Sequence, residues 1–215
     1  MRTNEKKIVF DPTICYNKKA YRKGGPTLPD SNITKNALAA AMKTLMEKTP
    51  FAKISVGDIC EMCQMNRKSF YYHFKDKYDL VNWIFYTEFI TAIRNRDYKN
   101  GWELMEDICV YFYQNRRFYM NALEVHGQDS FRDYFKDILK AILKVYFDEI
   151  ITKENDETFF LNFFTDAFVV AIERWLCEKP CREPKAFVGL MKAAVNGMAV
   201  RVVRKMEEET GIRVS

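Results

Sequence analysis

The stretch Ile54–Leu80, ISVGDICEMCQMNRKSFYYHFKDKYDL, decides the fold. Ser55 stands three residues before Asp58, so each side chain can accept the backbone N–H of the other residue, which is a capping box. Ile54 and Ile59 flank this cap at the two positions of a hydrophobic staple. A helix is therefore predicted from Ser55 to about Met62.

A second short helix follows a tight turn in this stretch. Residues Cys63 to Met65 lead into Asn66, which is a good N-cap ahead of a new periodic segment. In that segment Phe70 and Phe74 lie one helical turn apart and can be buried together. The sequence therefore predicts two short helices joined by a tight turn.

The exposed face of the second helix is basic and aromatic. Burial of the two phenylalanines leaves Arg67 and Tyr71 on one exposed line, and Lys68 and Tyr72 on another. Helices that enter the major groove of DNA present such groups to bases and phosphates. The pattern predicts a DNA-binding helix-turn-helix. The alternative is a helical hairpin within a larger core, with a surface that is basic by coincidence.

The run Ser69–Lys77, SFYYHFKDK, resembles the signature of the TetR family of bacterial transcriptional regulators. The resemblance covers residues 33 to 82 and includes the capped helix before the run. It implies a homodimer that binds a double-stranded DNA operator, with half-sites arranged as a palindrome. We expect a repressor, although the sequence fits activation equally well. The segment Phe118–Phe135, FYMNALEVHGQDSFRDYF, is similar to the branch that contains the dihydroxyacetone-kinase operon regulators.

The expected DNA contacts fall into two groups. Arg67 and Lys68 open the recognition helix and are expected to read base edges, since arginine suits a bidentate contact with guanine. The resemblance implies that a second group holds the DNA backbone or the groove walls. Its members are Ser55, Ser69, Tyr71, Tyr72, His73 and Lys77.

Charge is unevenly distributed along the 215 residues, and the net charge is +5. Residues 1–30 hold 7 basic and 3 acidic groups, residues 31–80 hold 8 and 5, and residues 81–215 hold 19 and 21. Positive charge is thus concentrated around the predicted DNA-binding unit, as phosphate binding requires.

An all-α, TetR-like architecture with three parts is predicted. Residues 1–30 form an N-terminal arm of uncertain order, in which Ile8, Val9 and Phe10 can make a short strand; the arm either touches DNA or is a solvated tail. Residues 31–82 form the DNA-binding domain of three helices, the first running from about 33 to 48. Residues 83–215 form an effector-binding and dimerisation domain.

Hydrophobic periodicity predicts six further helices. The first runs from Lys77 to about Arg94 as a lever out of the DNA-binding unit. The others span about 102–113, 116–124, 131–150, 156–178 and 184–209. The last two are apolar around most of their circumference, so burial on several sides is expected. We expect them to form the dimer interface, with Phe168 on the contact surface.

The effector domain carries 13 Phe, 7 Tyr and 3 Trp, and pockets between helices are often lined with such rings. Control by an unknown small molecule is therefore expected. The alternative is control by a partner protein. Most of these rings belong to the apolar faces of helices and are assigned to the core. Six residues remain as pocket candidates, namely Tyr86, Trp102, Tyr111, Tyr113, Tyr119 and Asn121.

Catalytic motifs are missing from the sequence, so no enzyme, cofactor or metal site is expected. It contains no G-x-S-x-G, G-K-[ST], H-E-x-x-H or G-x-G-x-x-G pattern. Cys60 and Cys63 form a lone C-x-x-C, and Cys177 and Cys181 form a second close pair; a thiol or metal sensor is a remote alternative. With no apolar run of roughly 18 residues and no secretion signal, a cytoplasmic protein without membrane contact is expected.

Overall fold

The computed structural model describes the backbone of residues 8–9, 29–94, 96–146 and 157–210, and side chains within 32–94, 96–144 and 158–197. The region predicted as the DNA-binding unit has three helices and a 3-10 turn. These elements are α1 (Pro29–Met46), the 3-10 turn (Phe51–Lys53), α2 (Val56–Met62) and α3 (Arg67–His73). The predicted helices of this unit are confirmed, and α1 starts about four residues earlier than expected.

The predicted lever is helical from Lys77 to Ile93, but it is not one regular α-helix. It consists of α4 (Lys77–Phe85), a π-helical segment (Tyr86–Ile90) and α5 (Thr91–Ile93). A π turn carries one residue more than an α turn, and such turns often occur at functional sites. A 3.6-residue hydrophobic pattern cannot reveal one extra residue in a turn, so this π-helical segment could not be predicted from the sequence.

The remaining chain forms five helices that enclose an aromatic core. They are α6 (Gly101–Gln114), α7 (Arg116–Glu124), α8 (Phe131–Tyr146), α9 (Glu157–Cys177) and α10 (Pro184–Thr210). Helix α9 packs mainly on α8, and α10 packs mainly on α6. The Ser130 hydroxyl caps α8 by accepting the Asp133 N–H at 3.2 Å. The expected continuation of α8 to Ile150 lies outside the described residues.

One short β pairing joins the N-terminal arm to the region after α5. Strand β1 (Ile8–Val9) is antiparallel to β2 (Asp97–Tyr98), with Ile8 opposite Tyr98 and Val9 opposite Asp97. The short strand expected in the arm is therefore present at two of its three positions. Apart from this strand, the residues of the predicted arm before Pro29, Phe10 included, lie outside the described residues, whereas Pro29 and Asp30 belong to α1.

Among the residues with described structure, no helix combines the length and the apolar character needed to cross a membrane.

Candidate nucleic-acid interface

The capping box predicted at the start of α2 is present. The Ser55 N–H donates to Asp58 Oδ2 at 2.7 Å, and the Asp58 N–H donates to Ser55 Oγ at 3.2 Å. The backbone hydrogen bond from Ser55 is the main reason that the pKa of Asp58 is lowered. Ile54 and Ile59 are both buried beside the cap. These contacts fix the place where α2 begins.

A tight turn places α3 relative to α2. Gln64 adopts a left-handed backbone conformation with φ of 54°. The Met65 N–H donates to the Cys60 carbonyl at 2.8 Å and closes the turn. Asn66 then caps α3, because its Oδ1 accepts the Ser69 N–H at 2.8 Å and the Ser69 hydroxyl at 3.2 Å. Ser69 is thus engaged within the cap.

Helix α3 buries one face and presents the other to solvent. Phe70 is fully buried and Phe74 is 3% exposed, as their one-turn spacing predicted. Tyr71 and Tyr72 are 58% and 82% exposed, while Arg67 and Lys68 are also exposed. A large aromatic side chain that is four-fifths exposed loses its hydrophobic stabilisation unless a partner covers it. The face therefore suits a polyanionic surface that accepts hydroxyl and ammonium donors.

His73, the last residue of α3, is half-buried at the edge of this face. Burial is the main cause that lowers the pKa of His73, and the nearby Lys35 ammonium adds to the effect. The His73 ring packs edge-on against Tyr72 with ring centroids 4.9 Å apart. Sequence reasoning missed Lys35, since no local signal relates a residue of α1 to the end of α3. The Lys35 ammonium, which lies 5.9 Å from the centroid of the Trp83 ring, is a further cation near the end of α3.

Arg67 lies across the start of α2 in this structure. An ideal Cβ placed on Gly57 would stand 2.6 Å from Arg67 Nη2 and 3.2 Å from Ser55 Oγ. The guanidinium therefore occupies the space that the missing Gly57 side chain leaves open. The structure brings Ser55 and Arg67, which were predicted from different helices, to one place on the surface.

Lys77 is engaged inside the protein. Its ammonium donates to the carbonyl oxygens of Phe51 at 2.8 Å, Ala52 at 3.3 Å and Ile54 at 2.7 Å. Burial is the main cause that lowers the pKa of Lys77, while the Asp58 carboxylate acts in the opposite direction. The phosphate contact expected from the family resemblance therefore competes with three hydrogen bonds inside the chain.

The residues expected to line a ligand pocket have partners within the protein. The Tyr119 hydroxyl donates to the Tyr111 hydroxyl at 3.0 Å, which in turn donates to Glu88 at 2.8 Å. Tyr119 is fully buried, and its ring stacks on Phe112 with centroids 4.3 Å apart. Rings in direct contact fill the space between these helices, so this part of the predicted pocket is packed core.

The other four pocket candidates have different surroundings. The Asn121 amide donates to the Met46 carbonyl at 2.7 Å. This side chain therefore supplies a hydrogen-bond donor to a carbonyl at the C-terminal end of α1. The remaining three are distributed along the domain. Tyr113 donates to Glu183 at 3.1 Å, the Trp102 ring lies 6.0 Å from that of Phe168, and Tyr86 belongs to the π-helical segment.

The cysteine pairs were the basis of the remote sensor hypothesis. Cys60 is buried, and the Cys63 thiol donates to the Ile59 carbonyl at 3.2 Å. Burial raises the pKa of both thiols, which makes them less reactive. Within the described part of the chain, no three His, Cys, Asp or Glu side chains are grouped as a metal site requires.

Comparison with protein families gives matches over both parts of the chain. Residues 37–84 match the model described as bacterial regulatory proteins, tetR family. Residues 100–197 match the model described as transcriptional regulator C-terminal region. The first match contains the whole helix-turn-helix, and the second contains helices α6 to α9.

One curated relative is the HTH-type dhaKLM operon transcriptional activator DhaS of Lactococcus lactis subsp. lactis (strain IL1403). It is 30% identical over 153 residues, which cover 67% of this chain and 79% of that protein. This similarity agrees with the branch expected from Phe118–Phe135. This sequence similarity supports a role in transcriptional regulation more directly than a similarity of fold alone.

Three solved structures share the fold. Dihydroxyacetone kinase operon activator DhaS has a TM-score of 0.57 at 20% identity, over 79% of this chain and 98% of that one. A TetR transcriptional regulator from Streptococcus agalactiae 2603V has a TM-score of 0.58 at 20% identity, over 75% and 92%. NalD, the secondary repressor of the MexAB-OprM multidrug efflux pump in Pseudomonas aeruginosa, has a TM-score of 0.51 at 12% identity, over 74% and 93%.

Proposed function

The chain belongs to the TetR family of bacterial transcriptional regulators, and from this premise we propose that it binds a palindromic operator as a homodimer through α3. The observation that carries the proposal is the face of α3. Two exposed tyrosines and two exposed basic residues stand there over a buried pair of phenylalanines. We further propose that the protein is cytoplasmic, where its DNA is.

Selection of binding sites from random duplexes tests the DNA-binding proposal. We expect the wild-type protein to enrich an inverted repeat with half-sites about one helical turn apart or somewhat more. Enrichment of a sequence without two-fold symmetry would contradict the palindrome. Recovery of no preferred sequence at all would contradict sequence-specific binding.

The proposed sense of regulation is activation. A curated relative at 30% identity is named an operon activator, and this supports activation in place of the repression expected from the sequence. A reporter gene placed behind the selected operator should gain transcription when the protein is expressed. Lower transcription would reinstate repression.

The proposed homodimer uses the outer faces of α9 and α10. Phe159 and Phe163 are 59% and 50% exposed on α9, with ring centroids 6.2 Å apart, and Leu190 is 52% exposed on α10. Phe168, which the sequence placed on this contact surface, is only 4% exposed and packs within the protomer beside Trp102. That assignment was wrong, because an all-round apolar pattern does not show which side faces the protomer's own core.

Light scattering of a charged variant tests the dimer. Wild-type protein should show twice the chain mass of 25.5 kDa, since an obligate interface buries above about 1,200 Å². Phe163→Glu should give monomers or aggregates. Gln128→Glu, which adds the same charge at an exposed site in the loop before α8, should remain dimeric. A wild-type monomer at micromolar concentration would contradict the proposal.

We propose an effector acting through the C-terminal domain, with a small molecule as the first class and a partner protein as the second. The packing of the rings of Phe85, Phe112 and Tyr119 favours the partner protein, because a ligand between them requires the rings to separate. Either effector must couple to operator affinity, typically by about 1 to 3 kcal/mol, and the coupling is reciprocal for binding.

Fractionation of host extract separates the two classes of effector. Operator affinity is measured with the filtrate that passes a membrane excluding proteins, and separately with the retained, dialysed fraction. Activity in the filtrate supports a small molecule. Protease-sensitive activity in the retained fraction supports a partner protein.

A further inference from the structure

We propose that Lys77 is a positioning residue that closes the helix-turn-helix on itself and aligns α3 for operator recognition without contacting a DNA phosphate. The proposal rests on the proposed function, in which α3 reads DNA. It assigns Lys77 a role that differs from the phosphate contact expected from the family resemblance.

The hydrogen bonds of Lys77 use its full donor capacity. A lysine ammonium has three N–H donors and no acceptor. The structure gives it three carbonyl acceptors, on Phe51, Ala52 and Ile54, at 2.8, 3.3 and 2.7 Å. A phosphate oxygen at this ammonium would have to replace one of them. Loss of the bond to Phe51 or Ile54 would remove a charged donor from a partly buried carbonyl, which is unfavourable. The bond to the Ala52 carbonyl is exposed and is the longest of the three.

The position of these acceptors explains why they matter for DNA binding. Ile54 directly precedes Ser55, the N-cap of α2, and Lys77 directly follows Asp76, the N-cap of α4. Asp76 Oδ1 accepts the N–H groups of residues 78 and 79, each at 2.9 Å. The ammonium thus joins the two ends of the segment that contains α2, the turn and α3. Movement of either end would rotate the reading face.

The surroundings favour a fixed ammonium at this place. The Nζ atom lies 4.6 Å from the ring centroid of Phe51 and 5.7 Å from that of Tyr78. These two rings also pack edge-on, with centroids 5.1 Å apart. The carbonyls of Phe51 and Ala52 lie in the 3-10 turn, and the Phe51 carbonyl also accepts the Ile54 N–H at 3.1 Å. Carbonyl groups at the C-terminal end of a helical turn attract a cation. The Lys77 ammonium is therefore surrounded by three carbonyl oxygens and two aromatic rings.

Binding measurements on Lys77→Met test this role. Methionine keeps an aliphatic stem and removes the charge and the donors. Affinity for the selected operator and for a random duplex is measured over a range of salt concentrations. We expect the operator-to-random affinity ratio to fall by about tenfold, which corresponds to about 1.4 kcal/mol, while the slope of log K against log salt is unchanged.

Lys68→Met is the matched control, because Lys68 is exposed on α3. As an exposed cation that comes close to the DNA polyanion, Lys68 contributes to counterion release, so this variant should reduce the salt slope by about one counterion per subunit. The same slope change in Lys77→Met, with an unchanged ratio, would overturn the proposal in favour of a phosphate contact. A lower melting temperature with unchanged affinities and slope would overturn it in favour of a role in stability alone. Lys77→Arg keeps the charge and should recover part of the ratio.

Lysine acetylation of the wild-type protein tests the proposal independently of any variant's folding. The rate at each lysine is followed by mass spectrometry, with and without operator DNA. Lys77 should be slow in both states, whereas Lys68 should be fast without DNA and slow with it. Fast acetylation of Lys77 in the free protein, followed by protection on DNA, would overturn the proposal. A wild-type protein without a preferred sequence would contradict the proposed function instead.

Discussion

The recognition helix and the aromatic core of the C-terminal region use tyrosine in opposite ways. Tyr71 and Tyr72 of α3 are 58% and 82% exposed, whereas Tyr119 of α7 is fully buried. The buried hydroxyl has a partner in Tyr111 at 3.0 Å, and burial raises its pKa well above the ordinary value. The exposed hydroxyls point to a partner outside the chain. The setting of a tyrosine therefore distinguishes a binding surface from a structural core.

The two regions meet at a polar junction. Lys43 of α1 donates to both carboxylate oxygens of Glu88, at 3.0 and 2.8 Å, and Tyr111 donates to the same carboxylate. Glu88 lies in the π-helical segment. A second link is the ion pair from Lys75, just after α3, to Asp129 at 2.8 Å. Changes in the core can reach the DNA-binding unit through these contacts, and the following predictions test how far the regions are independent.

The largest expected effect is on the aromatic core. Phe112 is fully buried, with its ring 4.3 Å from that of Tyr119 and 4.9 Å from that of Phe135. Phe112→Ala should lower the free energy of unfolding by about 3 to 5 kcal/mol, because a cavity replaces the ring. Equilibrium urea unfolding at a fixed protein concentration measures it. A loss below about 1 kcal/mol would instead indicate a loosely filled region, as a ligand pocket requires.

The matched change in the other region is Tyr72→Ala. Since this ring is mostly exposed, its removal should change the free energy of unfolding by less than about 0.5 kcal/mol. Operator affinity should fall. Unchanged affinity would remove Tyr72 from the DNA interface.

Arg67→Ala addresses base recognition. Loss of a bidentate contact with guanine should cost about 1 to 3 kcal/mol of operator binding and relax the preference at one base pair of each half-site. Repeated site selection with the variant measures both. Lys48→Ala is the control, because it also removes an exposed positive charge. Lys48 lies just beyond the end of α1 that contacts α7, outside the helix-turn-helix. Wild-type preference at every base after Arg67→Ala would contradict the assignment.

The helix-turn-helix was predictable from sequence because its signals are local. The Ser55–Asp58 box, the Asn66 cap and the spacing of Phe70 and Phe74 each involve residues within four positions of one another. Such patterns fix where a helix begins and which side is buried. The structure leaves Arg67, Lys68, Tyr71 and Tyr72 exposed on α3 and brings Ser55 close to Arg67. Contact of these residues with DNA stays a prediction.

The C-terminal region was less predictable because its contacts are between distant residues. The helix boundaries followed from periodicity, yet nothing local distinguishes a ring that lines a pocket from one that fills a core. Asn121 was assigned to a pocket although its partner is the carbonyl of Met46, 75 residues earlier. Lys77 was assigned to phosphate from the family resemblance, and no local pattern indicated its carbonyl acceptors, which lie 23 to 26 residues away.

A double-mutant cycle at the junction should show a smaller effect. Lys43 and Glu88 side chains are 31% and 36% exposed, so solvent screens their attraction. Lys43→Met, Glu88→Gln and the double variant should give a coupling energy of about 0.5 to 1 kcal/mol in urea unfolding. A coupling energy of zero would mean that the two regions are joined by other contacts, with the Lys75–Asp129 pair the next to test.

A change of similar size is expected in the turn between α2 and α3. Gln64 has φ of 54°, a conformation that costs an L-residue with a side chain roughly 1 to 2 kcal/mol and glycine nothing. Glycine also loses about 0.5 to 1 kcal/mol more backbone entropy on folding. Gln64→Gly should therefore raise the free energy of unfolding by about 0.5 to 1 kcal/mol. Because Gln64 is exposed, little packing is lost and operator affinity should be unchanged. A destabilised variant would show that the Gln64 side chain makes a contact that outweighs the backbone strain, and a loss of affinity at equal stability would place Gln64 at the DNA surface.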